Sequence, residues 1–232
     1  MRACVGDSVI VDAADVVATR LDVVPERVSA LHALLSDAER RRASRIAFGR
    51  DRRRFIVARG RLRQLLGARL GARPESVELA YGAQGKPALA PRFAESDLRF
   101  NVSHCDDVAA YVFVFGREIG VDIEAVRPVG DADDLAARFF SDGERAAYEA
   151  LDPPDRPLGF LTCWTRKEAF IKALGDGFGY PLDRFDVSLR PDEQARILRV
   201  GHMSGDSCGW CMMSFAPAPG FVGAVVTESK AS

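Results

Sequence analysis

The feature that most limits how this chain can fold is a pattern that occurs twice. Ser36-Asp-Ala-Glu39-Arg40 returns 105 residues later as Ser141-Asp-Gly-Glu144-Arg145. Each reads as a helix-opening box in which the serine side chain and the glutamate three residues on satisfy each other's backbone N–H groups. Matching features follow in the same order. A helix ending Leu65-Leu66-Gly67 is answered 108 residues on by one ending Ala173-Leu174-Gly175, and Pro74 with a strand over 77–81 by Pro181 with a strand over 185–189. One such box is common; three features in one order at nearly one offset imply an internal duplication. The expected class is α+β, with two similar α/β halves related by a pseudo-twofold axis and divided as 1–117 and 118–232. At 232 residues there is chain enough for a core in each half. The junction near 116–120 is then a favoured place for a ligand site.

Between these markers, residues 8–24 alternate apolar and polar in two runs broken near Ala13 and Ala14, which predicts a strand pair. Pro25 opens a helix to about Leu35. A helix over 51–70 carries Phe55, Ala58, Leu62, Leu65 and Leu66 on an apolar stripe. Short strands are expected at 77–81 and 87–89, then at 100–103, 108–115 and 119–123. No apolar run approaches a membrane span, and no basic start precedes an apolar leader core, so the expectation is a cytoplasmic protein without membrane contact. Five cysteines at irregular spacing argue against a disulfide framework. The net charge of −1 conceals an asymmetry: residues 40–69 hold twelve arginines against one acid, Asp51. Such a basic helix pair suits a polyanionic ligand. No helix-turn-helix, zinc-finger or aromatic-stacking pattern accompanies it, so nucleic acid is not the expected partner.

The residues suited to chemistry concentrate in two stretches. In WTRKEAFIKALGDGFG, residues 164–179, Glu168 and Lys172 stand four apart in a helical run and share a face. In GVDIE, residues 120–124, Asp122 and Glu124 alternate with Val121 and Ile123, so both carboxylates share one face of a strand. Three carboxylates and a lysine are the make-up of a site for a hard cation such as Mg²⁺. The plain alternative is a solvated helix face and a charged edge strand. Lys86, between Gly85 and Pro87, sits on restricted backbone and can meet a phosphate as a point charge. Ser103 and His104 end a strand side by side, without the spacing of a nucleophile motif. Cys208 and Cys211 have redox or zinc spacing but lead into a strand with only His202 nearby, so ordinary core thiols are expected.

In order, GKP, FNVSH, GVDIE, FF-S-x-x-E and W-x-x-KEAFIKALGDG-x-G resemble the Sfp-type 4′-phosphopantetheinyl transferases over roughly residues 36–189. That family transfers the phosphopantetheine arm of coenzyme A to a serine of an apo acyl or peptidyl carrier protein and releases adenosine 3′,5′-bisphosphate. Its members are pseudo-dimers with the active site between the halves. The resemblance implies Mg²⁺ held by Asp122, Glu124 and Glu168, and catalysis by Glu168 and Lys172. It implies coenzyme A contacts from Arg54, Gly85, Lys86, Pro87, Ser103, His104, Lys167 and Lys172, and a monomer whose partner is the carrier. Glu168 is the candidate base, directly or through water, and Lys172 the group that stabilises or protonates the leaving bisphosphate. Cys105 departs from the small polar residue of many relatives; it is expected to alter a minor contact and leave the metal site untouched. The segment 127–140, with Leu135 and Phe139 at helical spacing, is the expected docking face for the carrier, with core packing as the alternative. Two other classes fit the same residues: a magnesium-dependent phosphodiesterase or nuclease, and a non-catalytic carrier-binding module.

Overall fold

The computed structural model describes residues 9–11, 14–82, 85–175, 180–190, 192–201, 203–204 and 209–229. Its first half runs β1 (Val9–Val11), β2 (Ala14–Arg20), α1 (Pro25–Ala33), α2 (Asp37–Arg45) and α3 (Gly49–Leu70), then the hairpin β3 (Leu79–Tyr81) and β4 (Pro87–Leu89), then β5 (Leu98–Cys105) and β6 (Val108–Phe115). The second half runs β7 (Ile119–Ala125), α4 (Ala132–Phe139), α5 (Asp142–Glu149) and α6 (Arg156–Leu174), then β8 (Phe185–Val187), β9 (Ile197–Val200), β10 (Met203–Ser204), β11 (Trp210–Phe215) and β12 (Phe221–Glu228). The predicted strand pair near the N-terminus is present as antiparallel β1 and β2; Ser8 and Ala13 lie outside the described residues.

Two antiparallel sheets, ordered β1-β2-β6-β5 and β11-β12-β7, carry the two halves. The period-2 alternation of strands decides how they stack. In β6, Ala109, Tyr111 and Phe113 face the first half's helices, whereas Val108, Ala110, Val112 and Val114 face the other way. There they meet Ile119, Val121 and Ile123 of β7 and Val225 of β12, so the two sheets bury a core between them. The opposite face of β12, with Val222, Ala224 and Val226, packs under α6. The layers are therefore helix, sheet, sheet, helix. A strand buried on both faces needs no polar residues, which is why 108–114 reads as a continuous apolar run.

The duplication extends into the buried charges. Both capping boxes form, Ser36 with Glu39 and Ser141 with Glu144. Each glutamate then holds a cation from the long helix of its own half: Arg63 Nε lies 2.6 Å from Glu39, and Lys167 Nζ 2.6 Å from Glu144. Each cation also donates to the following segment, Arg63 to Val77 O and Lys167 to Phe185 O, both at 2.8 Å. One helix pairing is corrected. Gly67 does not end α3; the C-cap is Gly71 at φ 61°, matching Gly175 at φ 79° after α6. Glycine takes these left-handed caps without a Cβ clash.

At the junction, the edge strands β5 and β7 are joined through side chains. Asn101 Oδ1 accepts from Val121 N at 3.0 Å, Ser103 Oγ donates to Asp122 at 2.8 Å, and Cys105 Sγ donates to Glu124 at 3.2 Å. Alternate residues of β5 thus hold the main chain of β7 at Val121 and the two carboxylates that follow, and the candidate site lies along that line.

Candidate active site at the junction of the halves

The site depends on how closely α6 can approach β7. A Cβ at Gly120 would overlap the Ala169 carbonyl oxygen and Ala173 N, and would lie 2.9 Å from the Lys172 carbonyl carbon. Only glycine leaves room for that crossing. Asp122 and Glu124, two and four residues on, share the Gly120 face and so point to the side of the sheet that α6 covers. Glu168 and Lys172 come to the same place from successive turns of the helix.

Asp122 is 6% exposed and holds two donors on Oδ1, Lys172 Nζ at 2.6 Å and Ser103 Oγ at 2.8 Å. Lys172 Nζ also lies 3.3 Å from Ser103 Oγ. Asp122 Oδ2 and Glu168 Oε1 are buried without a hydrogen-bond partner among the described residues. Orphaned carboxylate oxygens in a protein interior are costly unless something cationic or protic meets them. Burial, reinforced by the charges on Asp122 and Glu124, raises the Glu168 pKa above the usual glutamate range, with Lys172 opposing. Glu124 is also raised, chiefly by burial. The donor chemistry, three carboxylates with two oxygens unsatisfied, suits a hard cation. Among the described residues, no three such groups are drawn together into a finished chelate, and Lys172 stands on Asp122 instead.

Beside this cluster opens a cleft of about 490 Å³. Its polar wall is Arg42, Arg54, Arg59 and His104 together with two carboxylates, Asp51 and Asp106, and its apolar wall includes Phe55, Ala58, Pro87 and Val102. Burial together with Lys172, Arg54 and Arg59 lowers the His104 pKa, although the ring reaches solvent. Arg54 is fixed by Asp107 at 2.8 Å on the β5–β6 turn. Three guanidinium groups and an imidazole outnumber the two carboxylates, and Arg42 and Arg59 have no ion pair with either of them, so a cleft of this size suits a small polyanion.

Several expectations change. Lys167 is not at the site: it is fully buried, with its ammonium on Glu144 and Phe185 O. A residue next to Glu168 in sequence is turned about 100° from it on the helix, here into the core. Lys86 donates to the main-chain carbonyls of Lys172 and Ile119, so its charge ties the β3–β4 hairpin to the second half and is not directed into the cleft. Gly85 supplies the positive φ of 75° before it. Cys105 touches Glu124 directly, so the expectation that it leaves the carboxylate set untouched is overturned. Its thiol is pushed up to about 11 by burial and by the bond to Glu124. Phe55 and Ala58, expected in the core stripe, line the cleft with Arg59, which sequence reasoning missed; an arginine one turn beyond Phe55 was the available signal.

In the segment 127–140, Phe140 is buried against Phe160, with ring centroids 5.4 Å apart, and Phe139 meets Trp164 edge-on at 5.8 Å. Leu135 lines a second cleft, about 300 Å³, bounded by Glu124, Val129 and Trp164. Asp176 to Gly179, His202 and Cys208 lie outside the described residues; Cys211 Sγ lies 3.4 Å from Ser229 Oγ.

Residues 118–216 match the family model of the 4′-phosphopantetheinyl transferase superfamily, and residues 23–114 match that of the 4′-phosphopantetheinyl transferase N-terminal domain. The chain is 38% identical over 205 residues to the 4′-phosphopantetheinyl transferase HetI of Nostoc sp., covering 88% of this chain and 83% of HetI. It is 32% identical over 171 residues to a 4′-phosphopantetheinyl transferase of Bacillus subtilis, covering 73% and 74%. To Sfp of Bacillus subtilis it is 29% identical over 163 residues, covering 70% of each chain. The chain belongs to the 4′-phosphopantetheinyl transferase superfamily, in the form built from two similar halves. It is a transferase that modifies carrier proteins with phosphopantetheine. The family's substrates are coenzyme A and a carrier protein, and its members generally use Mg²⁺. No helix among the described residues is long and apolar enough to cross a membrane.

Proposed function

We propose that coenzyme A lies with its nucleotide end in the Arg42, Arg54, Arg59 and His104 cleft and its diphosphate beside Lys172, where Asp122, Glu124 and Glu168 hold Mg²⁺. What carries this reading is the pair of buried, partnerless carboxylate oxygens on Asp122 and Glu168 next to a lysine and an arginine-lined cleft. Bound there, Mg²⁺ supplies neutralising charge to the diphosphate oxygens.

The protein's own groups then do the following. The carrier serine is a poor nucleophile until it loses its proton, and Glu168 takes that proton, directly or through water. Burial raises its pKa in the metal-free site; bound Mg²⁺ would lower it again, so placement of the carboxylate beside the serine, more than its basicity, carries its role as base. Lys172 turns from Asp122 to the departing phosphate and stabilises or protonates it as the bond from phosphorus to the leaving oxygen breaks. Ser103 keeps its bond to Asp122 and so fixes the carboxylate while Lys172 moves. Lys86 exchanges the carbonyls of Ile119 and Lys172 for a phosphate, with Gly85 and Pro87 shaping its approach. Positioning and charge neutralisation supply most of the rate.

In this scheme residues 1–117 contribute the nucleotide and phosphate contacts and 118–232 the metal and proton-transfer groups, so one chain is sufficient and acts as a monomer in the cytoplasm. The carrier presents its serine across the Leu135 and Trp164 cleft, which Glu124 borders. The test is intact-mass measurement of an apo acyl or peptidyl carrier protein incubated with this chain, coenzyme A and Mg²⁺. A gain of one phosphopantetheinyl group that a chelator abolishes supports the scheme; a gain that persists in excess chelator contradicts the metal assignment.

A further inference from the structure

The corner between α2 and α3 is built against the interest of stability. Phe48 is 75% exposed, the highest value among the exposed large apolar residues described. It occupies the N-cap of α3 without any side-chain cap. Serine, threonine, aspartate or asparagine at that position satisfies a helix N–H and stabilises the helix, as an apolar residue does not. The chain does cap elsewhere, with Ser36 on α2 and Ser141 on α5. At this corner it keeps a phenylalanine in water instead. Arg52 fixes the corner by donating to Ile46 O at 2.8 Å.

Exposed arginines precede the ring in sequence. Arg41 and Arg45 stand four apart on α2, three residues short of Phe48, and both are exposed with no ion-pair or hydrogen-bond partner for their guanidinium groups among the described residues. The corner is also continuous with the mouth of the active site. Arg54 lies six residues into α3 from Phe48, about 9 Å along the axis at 1.5 Å per residue. Arg54 Nη2 reaches Asp106 at 4.0 Å, and Arg127, which borders the Leu135 cleft, reaches the same Asp106 at 3.3 Å. Arg42 and Ile46 before Phe48 and Asp51 after it line the nucleotide cleft, so the corner flanks that cleft, and the Arg54, Asp106 and Arg127 contacts continue from it to the edge where the carrier serine must enter.

We propose that Arg41, Arg45 and Phe48 form a docking point for an acidic protein face with an apolar centre, and that the occupant is the carrier protein during transfer. This rests on the functional reading above, in which a protein must cover that mouth. An exposed aromatic ring beside unpaired arginines complements such a face in both polarity and charge. Salt screens the arginines, so docking weakens as ionic strength rises.

The test is steady-state transfer by the wild type, Phe48→Ser and Arg41→Glu/Arg45→Glu, with carrier and coenzyme A varied separately. All three residues are exposed, and thermal unfolding verifies the fold of each variant. The expected result is a KM for the carrier raised about tenfold in each variant. The KM for coenzyme A and kcat stay within about twofold of wild type, because none of the three touches the reacting groups. Added NaCl raises the carrier KM of the wild type more steeply than that of the double arginine variant. An unchanged carrier KM overturns the proposal, as does an equal change in the coenzyme A KM, which assigns the corner to the nucleotide cleft. If the variants lose binding to anionic vesicles or duplex DNA while the carrier KM stays constant, the corner serves that partner and the proposal fails. Absence of transfer by the wild type instead overturns the functional reading, and this inference with it.

Discussion

Replacing Lys167 with methionine separates a structural lysine from a cofactor-binding one. The ammonium is enclosed, with side-chain exposures of 1% for Lys167 and 2% for Glu144, and makes bonds of 2.7 and 2.6 Å to the carboxylate and 2.8 Å to Phe185 O. Methionine fills much of the same volume but removes the charge. Glu144 keeps its bonds from Ser141 N and Val187 N, both 2.8 Å, yet loses its one ion-pair partner among the described residues. Removing one member of a buried ion pair leaves an uncompensated charge and costs about 3–5 kcal/mol. At roughly 2–4 °C per kcal/mol for a chain of this size, the melting temperature should fall by about 6–20 °C. Neutralising the stranded carboxylate as well, in Lys167→Met/Glu144→Gln, should return most of that loss. Scanning calorimetry measures the fall, and titration calorimetry with coenzyme A at 15–20 °C, where the variant is still folded, measures ligand affinity. Stability lost with affinity kept is the expected pair of results. Affinity lost with the melting temperature unchanged would refute the burial argument and return Lys167 to the ligand.

In buffer without divalent metal, Glu168→Gln should raise the melting temperature near pH 7.5. The folded-state pKa of Glu168 lies above its unfolded value, so the ionised side chain disfavours the fold once the pH exceeds the ordinary glutamate value. The gain should therefore shrink as the pH is lowered toward about 4.3; a gain that persists there contradicts the assignment. Gly120→Ala should cost about 1–3 kcal/mol or more and remove transfer activity, because α6 must lift from β7. Wild-type melting and turnover together would show that the crossing is looser than described. Arg54→Ala should raise the KM for coenzyme A about tenfold or more, with a smaller effect on kcat, in steady-state transfer. An unchanged KM would remove Arg54 from the nucleotide cleft.

Local signals carried much of the fold. The serine boxes, the glycine caps and the alternation of β7 act over three to five residues, and their physics is complete within the segment. The duplication was visible because both halves repeat those local devices. What was not legible depended on contacts between distant segments. Lys167 and Lys172 stand on one helix, and only the position of Glu144 determines that the first enters the core. Cys105 and Glu124 are 19 residues apart and meet only because β5 and β7 lie edge to edge. Gly67 looked like a helix end because Leu65-Leu66-Gly67 matches Ala173-Leu174-Gly175 at nearly the repeat offset, yet α3 continues one turn past it to Gly71. Arg59 was one of many arginines, and its place on the cleft follows from the packing of α3 rather than from its neighbours in sequence.

In the proposed scheme Glu168 acts on the reacting serine and is not needed to build the protein. The most direct test is single-turnover transfer to an apo carrier by Glu168→Gln at saturating coenzyme A and Mg²⁺, followed by intact mass. The expected result is a folded variant that still binds coenzyme A and transfers about 10²- to 10⁴-fold more slowly than wild type. Transfer within a few-fold of wild type would contradict it and move the proton-accepting role to another group.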